Sequence, residues 1–408
     1  MSDKRSPTAD LLTTFLVLCT ASLGLSSDMC QEDGSDVFNV LDYEVVGDGI
    51  RDDSTAFLAA WTAACGAVLD TSTLYIPEGS TFLLNPAKFQ GPCMSSSIDV
   101  QVYGNIVAPD IMAWTSQNLN NWLIFSNVNG LTVSGNGQID GQGSNCSRDV
   151  CFFDCQALAF RNCNNLQLSG LTHVNGPRSH ISVVGSTGLT ISNLQITAPK
   201  DSPNTDGIDI SQSSNVQIHD CIIETGDDCI AMGGGLANIN ITSVACGPGH
   251  GISIGSLGRG GAMDTVEEVH VRNCSFTGTM FGARIKSWQV GSGYARYISF
   301  KDITLIAAAN PIIIDQFYCT TDKYCTNKLM FKTEAVQVSD VTYDGFYGTS
   351  ITDNAVKLSC SETVGCTDIV LSNIALTSQY PNHVLSSSCL NAQGTSTAIN
   401  PVMDCLLP

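Results

Sequence analysis

Leu166-Gln167-Leu168-Ser169-Gly170-Leu171, Leu189-Thr190-Ile191-Ser192-Asn193-Leu194 and Val216-Gln217-Ile218-His219-Asp220-Cys221 share one pattern: apolar and polar residues alternate, then a polar pair precedes the next apolar residue. The pattern returns from Ile239 to Val244, Val269 to Cys274, Ile298 to Ile303, Val336 to Val341 and Ile369 to Ile374, with successive starts 23, 27, 23, 30, 29, 38 and 33 residues apart. Alternation rich in β-branched residues denotes strand. A constant unit with variable insertions denotes a solenoid. Each unit is too short for a βαβ crossover, and the gaps hold Gly, Asn, Ser and Asp without helical period. An all-β, right-handed parallel β-helix fits best. Further coils are expected around Ile98 to Val107 and Leu131 to Ile139, giving roughly ten turns and, at about 4.8 Å per strand, a rod of about 45 to 50 Å. One short helix, Ser54 to Ala64, is expected to cap the N-terminal end, because Phe57, Leu58, Trp61 and Ala64 recur at helical spacing.

Polar clusters fall at recurring places on that register. Asp206 lies 17 residues after Leu189, Asp228 lies 12 after Val216, His250 lies 11 after Ile239, Arg284 lies 15 after Val269 and Tyr318 lies 20 after Ile298. Five successive coils at a similar phase would stack these groups along one outer face, where a linear polymer could lie. Asp206 and Asp228 are expected on adjacent coils with Asp227 beside them. Carboxylates so close cannot all ionise freely, so one retains a proton while an ionised pair polarises water. That division of labour suits an inverting glycosidase. Neighbouring Asp227 and Asp228 would point to opposite faces of a regular strand, so a bend is expected after Gly226.

The segments SPNTDGIDI (202–210), TGDDCIAM (225–232), GPGHGISIGSLG (247–258) and ARIKSWQVGSG (283–293) resemble the four signature motifs of the plant-type polygalacturonases, pectin-cleaving glycoside hydrolases with a right-handed parallel β-helix. The resemblance runs from about Phe38 to Ile374, and NPIIIDQFYC (310–319) is similar to the plant branch. It implies Asp227 as general acid, Asp206 and Asp228 as holders of the attacking water, and His250 as the group keeping the acid protonated and oriented. It further implies that Asn204, Arg284, Lys286 and Tyr318 bind substrate, the two cations gripping a galacturonate carboxylate beyond the scissile bond. Trp288 to Gly293 looks more like the endo-acting members. Two departures stand out: Asp209 replaces a histidine of many plant relatives, and Arg178-Ser179-His180 differs from the usual run before a cleft histidine. Neither is expected to touch the catalytic set.

Each of these residues has a plainer reading. Asp206 could cap a turn, Asp227 and Asp228 could be solvated loop acids, Gly249-His250-Gly251 could be a tight turn, Arg284 and Lys286 could form surface ion pairs, and Tyr318 could merely pack. Their order along consecutive coils favours a shared site. A rhamnogalacturonan hydrolase, an exo-acting galacturonase and a non-catalytic wall-binding β-helix are the competing functions.

Composition bounds the rest. A continuous repeat makes residues 28–408 one domain despite a length of 408 residues. Lys4 and Arg5 precede an apolar run from Leu11 to Leu25 followed by Ser26 and Ser27, which reads as a signal peptide over residues 1–27 and predicts a secreted, extracellular protein of the cell wall. No later stretch reaches 18 apolar residues, so no membrane span is expected. Eighteen cysteines agree with an oxidising compartment. Cys319–Cys325, Cys360–Cys366 and Cys389–Cys405 look like local bridges, Cys229–Cys246 would tie the loop under the site, and Cys221 and Cys274, at inward positions, are expected as buried thiols. Sequons stand at Asn145, Asn240 and Asn273. Neither CxxC pairs nor clustered histidines suggest a metal, and no cofactor is expected. A net charge of −20 excludes nucleic acid as a partner. The same charge opposes a polyanionic pectin or polygalacturonic acid substrate, so Arg284, Lys286 and protonated His250 must offset the repulsion locally, and an acidic working pH follows. The chain is expected to act as a monomer.

Overall fold

In the computed structural model, which describes residues 36–110, 121–143, 155–319 and 334–406, the alternating segments are strands and every ladder between them is parallel. Val37–Pro408 forms one compact unit. The strands coil into a right-handed parallel β-helix, with a 21-stranded sheet on two sides and an 11-stranded sheet on the third. The expected upstream coils are present as Ser97–Val102 with Asn105–Val107 and Leu131–Gly135 with Gln138–Asp140. The signal-peptide segment, the Asn145 sequon and Cys325 lie outside the described residues.

The polar residues of the repeat are its corners. The residue before each repeat adopts a left-handed conformation, as at Asn165 (φ 54°), Asn215 (55°) and Asn238 (58°), and so does the fifth, as at Asn193 (53°), Asp220 (55°) and Asn273 (53°). Asn, Asp and Gly tolerate that region at little steric cost, which is why they recur there. One repeat is displaced from its expected place. Ile298 and Ile369 both pair with Val341, so the equivalent copy is Val341–Phe346, five residues beyond the Val336 expected from the pattern. Both corners of that coil are left-handed, Asp340 (φ 54°) and Gly345 (74°), and alternation on either side of a corner looks the same.

Inward residues stack coil upon coil. Val133, Leu168, Ile191, Ile218, Ile241, Val271 and Phe300 form one buried column. Each such side chain contributes about 1.5–3 kcal/mol by leaving water. Phe89, Phe125 and Phe160 stack in a second column, at centroid separations of 4.7 and 5.6 Å. The predicted helix is Ser54–Gly66, and it buries Phe57, Ala60, Trp61 and Ala64. Trp61 meets Phe89 and Phe125 edge-on at 5.5 and 5.4 Å, so the helix closes this end of the aromatic column.

Cys229–Cys246, Cys360–Cys366 and Cys389–Cys405 are bridged as expected. Cys319 is also disulfide-bonded. The bridge Cys65–Cys93, tying the end of the helix to the coil, has no signature in the spacing. Cys221 and Cys274 are buried free thiols, and so is Cys163. The inward column of Cys221 and Cys274 also holds Leu194 and Val244, so an aliphatic-sized group is what the position requires. Among the described residues no helix is long and apolar enough to cross a membrane.

Candidate active site

Ile208, Ile230 and Ile252 pair across three successive coils of the 11-stranded sheet. Two residues before each stand Asp206, Asp228 and His250, which therefore share one column, neighbours about 4.8 Å apart. Arg284 belongs to another row. It pairs with Ser253, which continues the outward row Ser182–Asp209–Ala231. Lys286 lies two residues further along, and Trp288 pairs with Tyr318. The expectation of one common phase is thus corrected: three groups share a column, while the cations and Tyr318 sit downstream along the strands. Counting from the first strand of each coil missed this because the intervening turns differ in length.

The bend at Gly226–Asp227 is present. It needs glycine, since a Cβ at Gly226 would lie 2.1 Å from the Ser202 carbonyl oxygen. It leaves Asp227 with 22% of its side chain exposed, while Asp228, on the cleft side, is covered to 1%. Asp228 is the hub of the site. Its Oδ1 accepts from Arg284 Nη2 at 2.5 Å and from Ser253 Oγ at 2.8 Å, and its Oδ2 accepts from Lys286 Nζ at 2.8 Å. Arg284 Nε donates to Ser253 Oγ at 2.7 Å. Arg284 also lies 4.0 Å over the Phe281 ring, and Lys286 5.3 Å over Tyr318. Both cations are almost wholly covered.

Asp227 Oδ1 accepts from the Asp228 amide at 2.9 Å and meets His250 Nδ1 at 2.8 Å. Backbone reinforces the pair, since the His250 amide donates to the Asp227 carbonyl at 2.7 Å. Burial raises the Asp227 pKa, but the His250 hydrogen bond and charge, with Lys286 and the Asp228 amide, outweigh it, so its carboxyl lies below the ordinary value. Asp206 moves the other way. Burial, then the charges of Asp209, Asp227 and Asp228, hold it well above the usual carboxylate range despite Lys286. The surroundings thus favour the protonated form at Asp206 and the ionised form at Asp227.

Asp209 and His180, expected to bear at most on a subsite, are direct neighbours of the set. Asp209 lines the same cleft as Asp206, Asp228 and Lys286. Burial, partly offset by the Ser179 hydroxyl and reinforced by the charge of Asp228, raises it to about 6. His180 lies one coil before Asp206 and is fully buried, which pulls its pKa down to about 4. Its Nε2 accepts from the Gly176 amide at 3.0 Å, which leaves Nδ1 to donate to the Asp206 carbonyl at 3.1 Å. A neutral imidazole thus pins the backbone of a central carboxylate. Ser253 was also absent from the expected set; register from Ile252 would have found it. Asn204 is exposed in the turn before Asp206, in a left-handed conformation (φ 56°).

Ligand atoms of Asp227, Asp228 and His250 lie within 4.8 Å of one another, a spacing that suits a cation. Both oxygens of Asp228 already hold Arg284 and Lys286, so a metal would have to displace two cationic partners. The donor set does not fit a metal centre.

The sign of the pH dependence follows from Asp209. Its folded value near 6 exceeds the unfolded value of about 3.9. A raised folded pKa stabilises the fold fully below the unfolded value, and that contribution disappears as pH rises through about 6. Melting temperature should therefore fall between pH 4 and pH 7, and Asp209→Asn should flatten the fall. Identical thermal curves for the two proteins would disprove this.

Residues 65–398 match the family described as Glycosyl hydrolases family 28. A protein named a probable polygalacturonase, from Arabidopsis thaliana, is 49% identical over 379 residues, 91% of this chain and 81% of its own length. A polygalacturonase of Prunus persica is 40% identical over 376 residues, 90% of this chain and 93% of that one. Among solved structures, the endo-xylogalacturonan hydrolase of Aspergillus tubingensis has a TM-score of 0.73 at 26% identity, covering 89% of this chain and 100% of that one.

Proposed function

The chain belongs to glycosyl hydrolases family 28 and is a pectin-degrading glycoside hydrolase, and from that premise we propose that it hydrolyses α-1,4-galacturonosyl linkages of de-esterified pectin by direct displacement with water. The observation that carries the reading is the column Asp206–Asp228–His250 with Asp227 turned out beside it. A sugar lying along the column has a proton donor and a water-binding pair within reach of one bond. No cofactor is needed. The protein is secreted to the cell wall and cuts within the chain.

Asp227 protonates the glycosidic oxygen. Its lowered pKa reflects the hydrogen bond and charge of His250, which outweigh burial. A hydrogen bond of 2.8 Å joins His250 Nδ1 to the carboxylate. A sugar covering them excludes water and penalises separated charge, so the proton moves from Nδ1 to the carboxyl where it is used. Asp206 and Asp228 hold the water on the other side. Asp228 is fixed by Arg284 and Lys286, leaving Asp206 to accept the proton. Asp206 must be ionised for this, and the Asp227–His250 pair must keep its proton, which gives a bell-shaped rate profile. Asp209→Asn removes a like charge beside Asp206, lowers its pKa and should move the acid limb to lower pH. An unmoved limb would exclude Asp206 as base.

Polygalacturonate digestion followed by viscosity and reducing-end assays tests the activity. A rapid viscosity drop indicates internal cutting, monomer release indicates terminal cutting, and neither would reject the reading. Direct displacement at an α-linkage should give a β-configured reducing end first. Proton NMR in early turnover reads the anomer; initial α product would require a covalent intermediate and different roles for the aspartates.

A further inference from the structure

Arg161 closes the strand Gln156–Arg161, three coils before the strand that follows Asp228, and it lines the same cleft of about 330 Å³ as Asp206, Asp209, Asp228 and Lys286. Its guanidinium is held rigidly. Nη1 donates to the carbonyls of Phe160 (3.2 Å) and Ser182 (3.1 Å) and to Ser182 Oγ (3.2 Å), while Nη2 donates to Asn121 Oδ1 (3.2 Å) and to Gln156 Oε1. Every one of these acceptors is neutral. Among the described residues no carboxylate forms an ion pair with Arg161, whereas Arg284 and Lys286 are both committed to Asp228. A partly buried cation with only neutral acceptors has lost hydration without gaining a counter-ion, a deficit that an arriving anion makes good. Burial in fact draws its pKa down, with Asp209 the only carboxylate whose charge opposes the shift.

We propose that Arg161, positioned by Gln156 and Ser182, binds a uronate carboxylate at the end of the cleft opposite Arg284 and Lys286. The proposal rests on the galacturonan reading and adds to it. The strands carrying the two cationic ends are five coils apart, about 24 Å. The catalytic carboxylates lie between them. A polymer seated across this span presents carboxylates to both ends, so the enzyme selects a run of unesterified sugars and not one free acid at the cleavage point. Planar guanidinium suits this task, since its fork fits a carboxylate in a way an ammonium does not.

The test is calorimetric titration of the full chain, carrying Asp227→Asn so that the ligand is not cleaved, with an octamer of galacturonate and with the same octamer fully methyl-esterified. Arg161→Gln should weaken binding of the acid octamer about tenfold, the loss of one charge-assisted contact, and leave the ester unchanged. Gln156→Glu keeps the arginine in place and supplies it with an internal carboxylate; it should reproduce the loss without disturbing the strand. Arg161→Lys should recover part of the affinity. Equal losses on acid and ester, or no loss on the acid in either Arg161→Gln or Gln156→Glu, would overturn the proposal. Wild-type turnover on polygalacturonate, measured in parallel, tests the underlying function separately, because the titrations do not depend on cleavage.

Discussion

Asp227→Asn should lower turnover on polygalacturonate by at least about 10²-fold, the scale of a lost acid–base group, while the melting temperature stays close to wild type. Asparagine keeps an oxygen where the Asp228 amide and His250 donate, at 2.9 and 2.8 Å, so the bend at Gly226 retains its hydrogen bonds. It cannot carry a proton to a leaving oxygen. Substrate affinity should survive, which makes this variant suitable for binding work. Near-wild-type turnover would remove Asp227 from the mechanism and leave His250 as the donor to examine.

Asp228→Asn should be equally inactive but also unstable. One carboxylate there compensates two covered cations, Arg284 and Lys286, and an amide offers them no charge. Removing one partner from a buried pair typically costs about 3–5 kcal/mol. The melting temperature should fall by several degrees, in contrast with Asp227→Asn. Asp206→Asn should resemble Asp227→Asn, because Asp206 is itself destabilised by its neighbours. The three aspartates thus separate by stability although all are needed for turnover. If Asp228→Asn melts like wild type, the hub does not hold the cations as described.

Much of the solenoid was legible because burial repeats. Cys221 and Cys274 could be assigned as buried thiols since a column that takes Leu194 and Val244 leaves no room for a charged group. The copy at Val336 slipped by five residues because two left-handed corners, Asp340 and Gly345, bracket the true strand and look alike in one dimension. Sequence alone gives Asp209 and Ser253 no place in the catalytic set for a related reason. Each is an ordinary polar residue on an outward strand face, and only the pairing of Ser182, Asp209, Ala231, Ser253 and Arg284 puts them in the site. The contact of the His180 ring with the Asp206 carbonyl exists only because successive coils stack.

By itself the sequence determined the parallel β-helix, the helix against its first coils, and the set of carboxylates, imidazole and cations that must meet on one face. These follow from period-two burial and from residue types whose chemistry needs company, both of which are local properties of the chain. Tertiary structure alone decided how the charges are shared. Asp206 is pushed toward its protonated form, Asp227 is held low by His250, Arg284 and Lys286 are spent on Asp228, and Arg161 is left with neutral partners. The physical reason is that electrostatic energy depends on distance and on water exclusion between residues as many as 58 positions apart. Neither quantity exists until the coils stack.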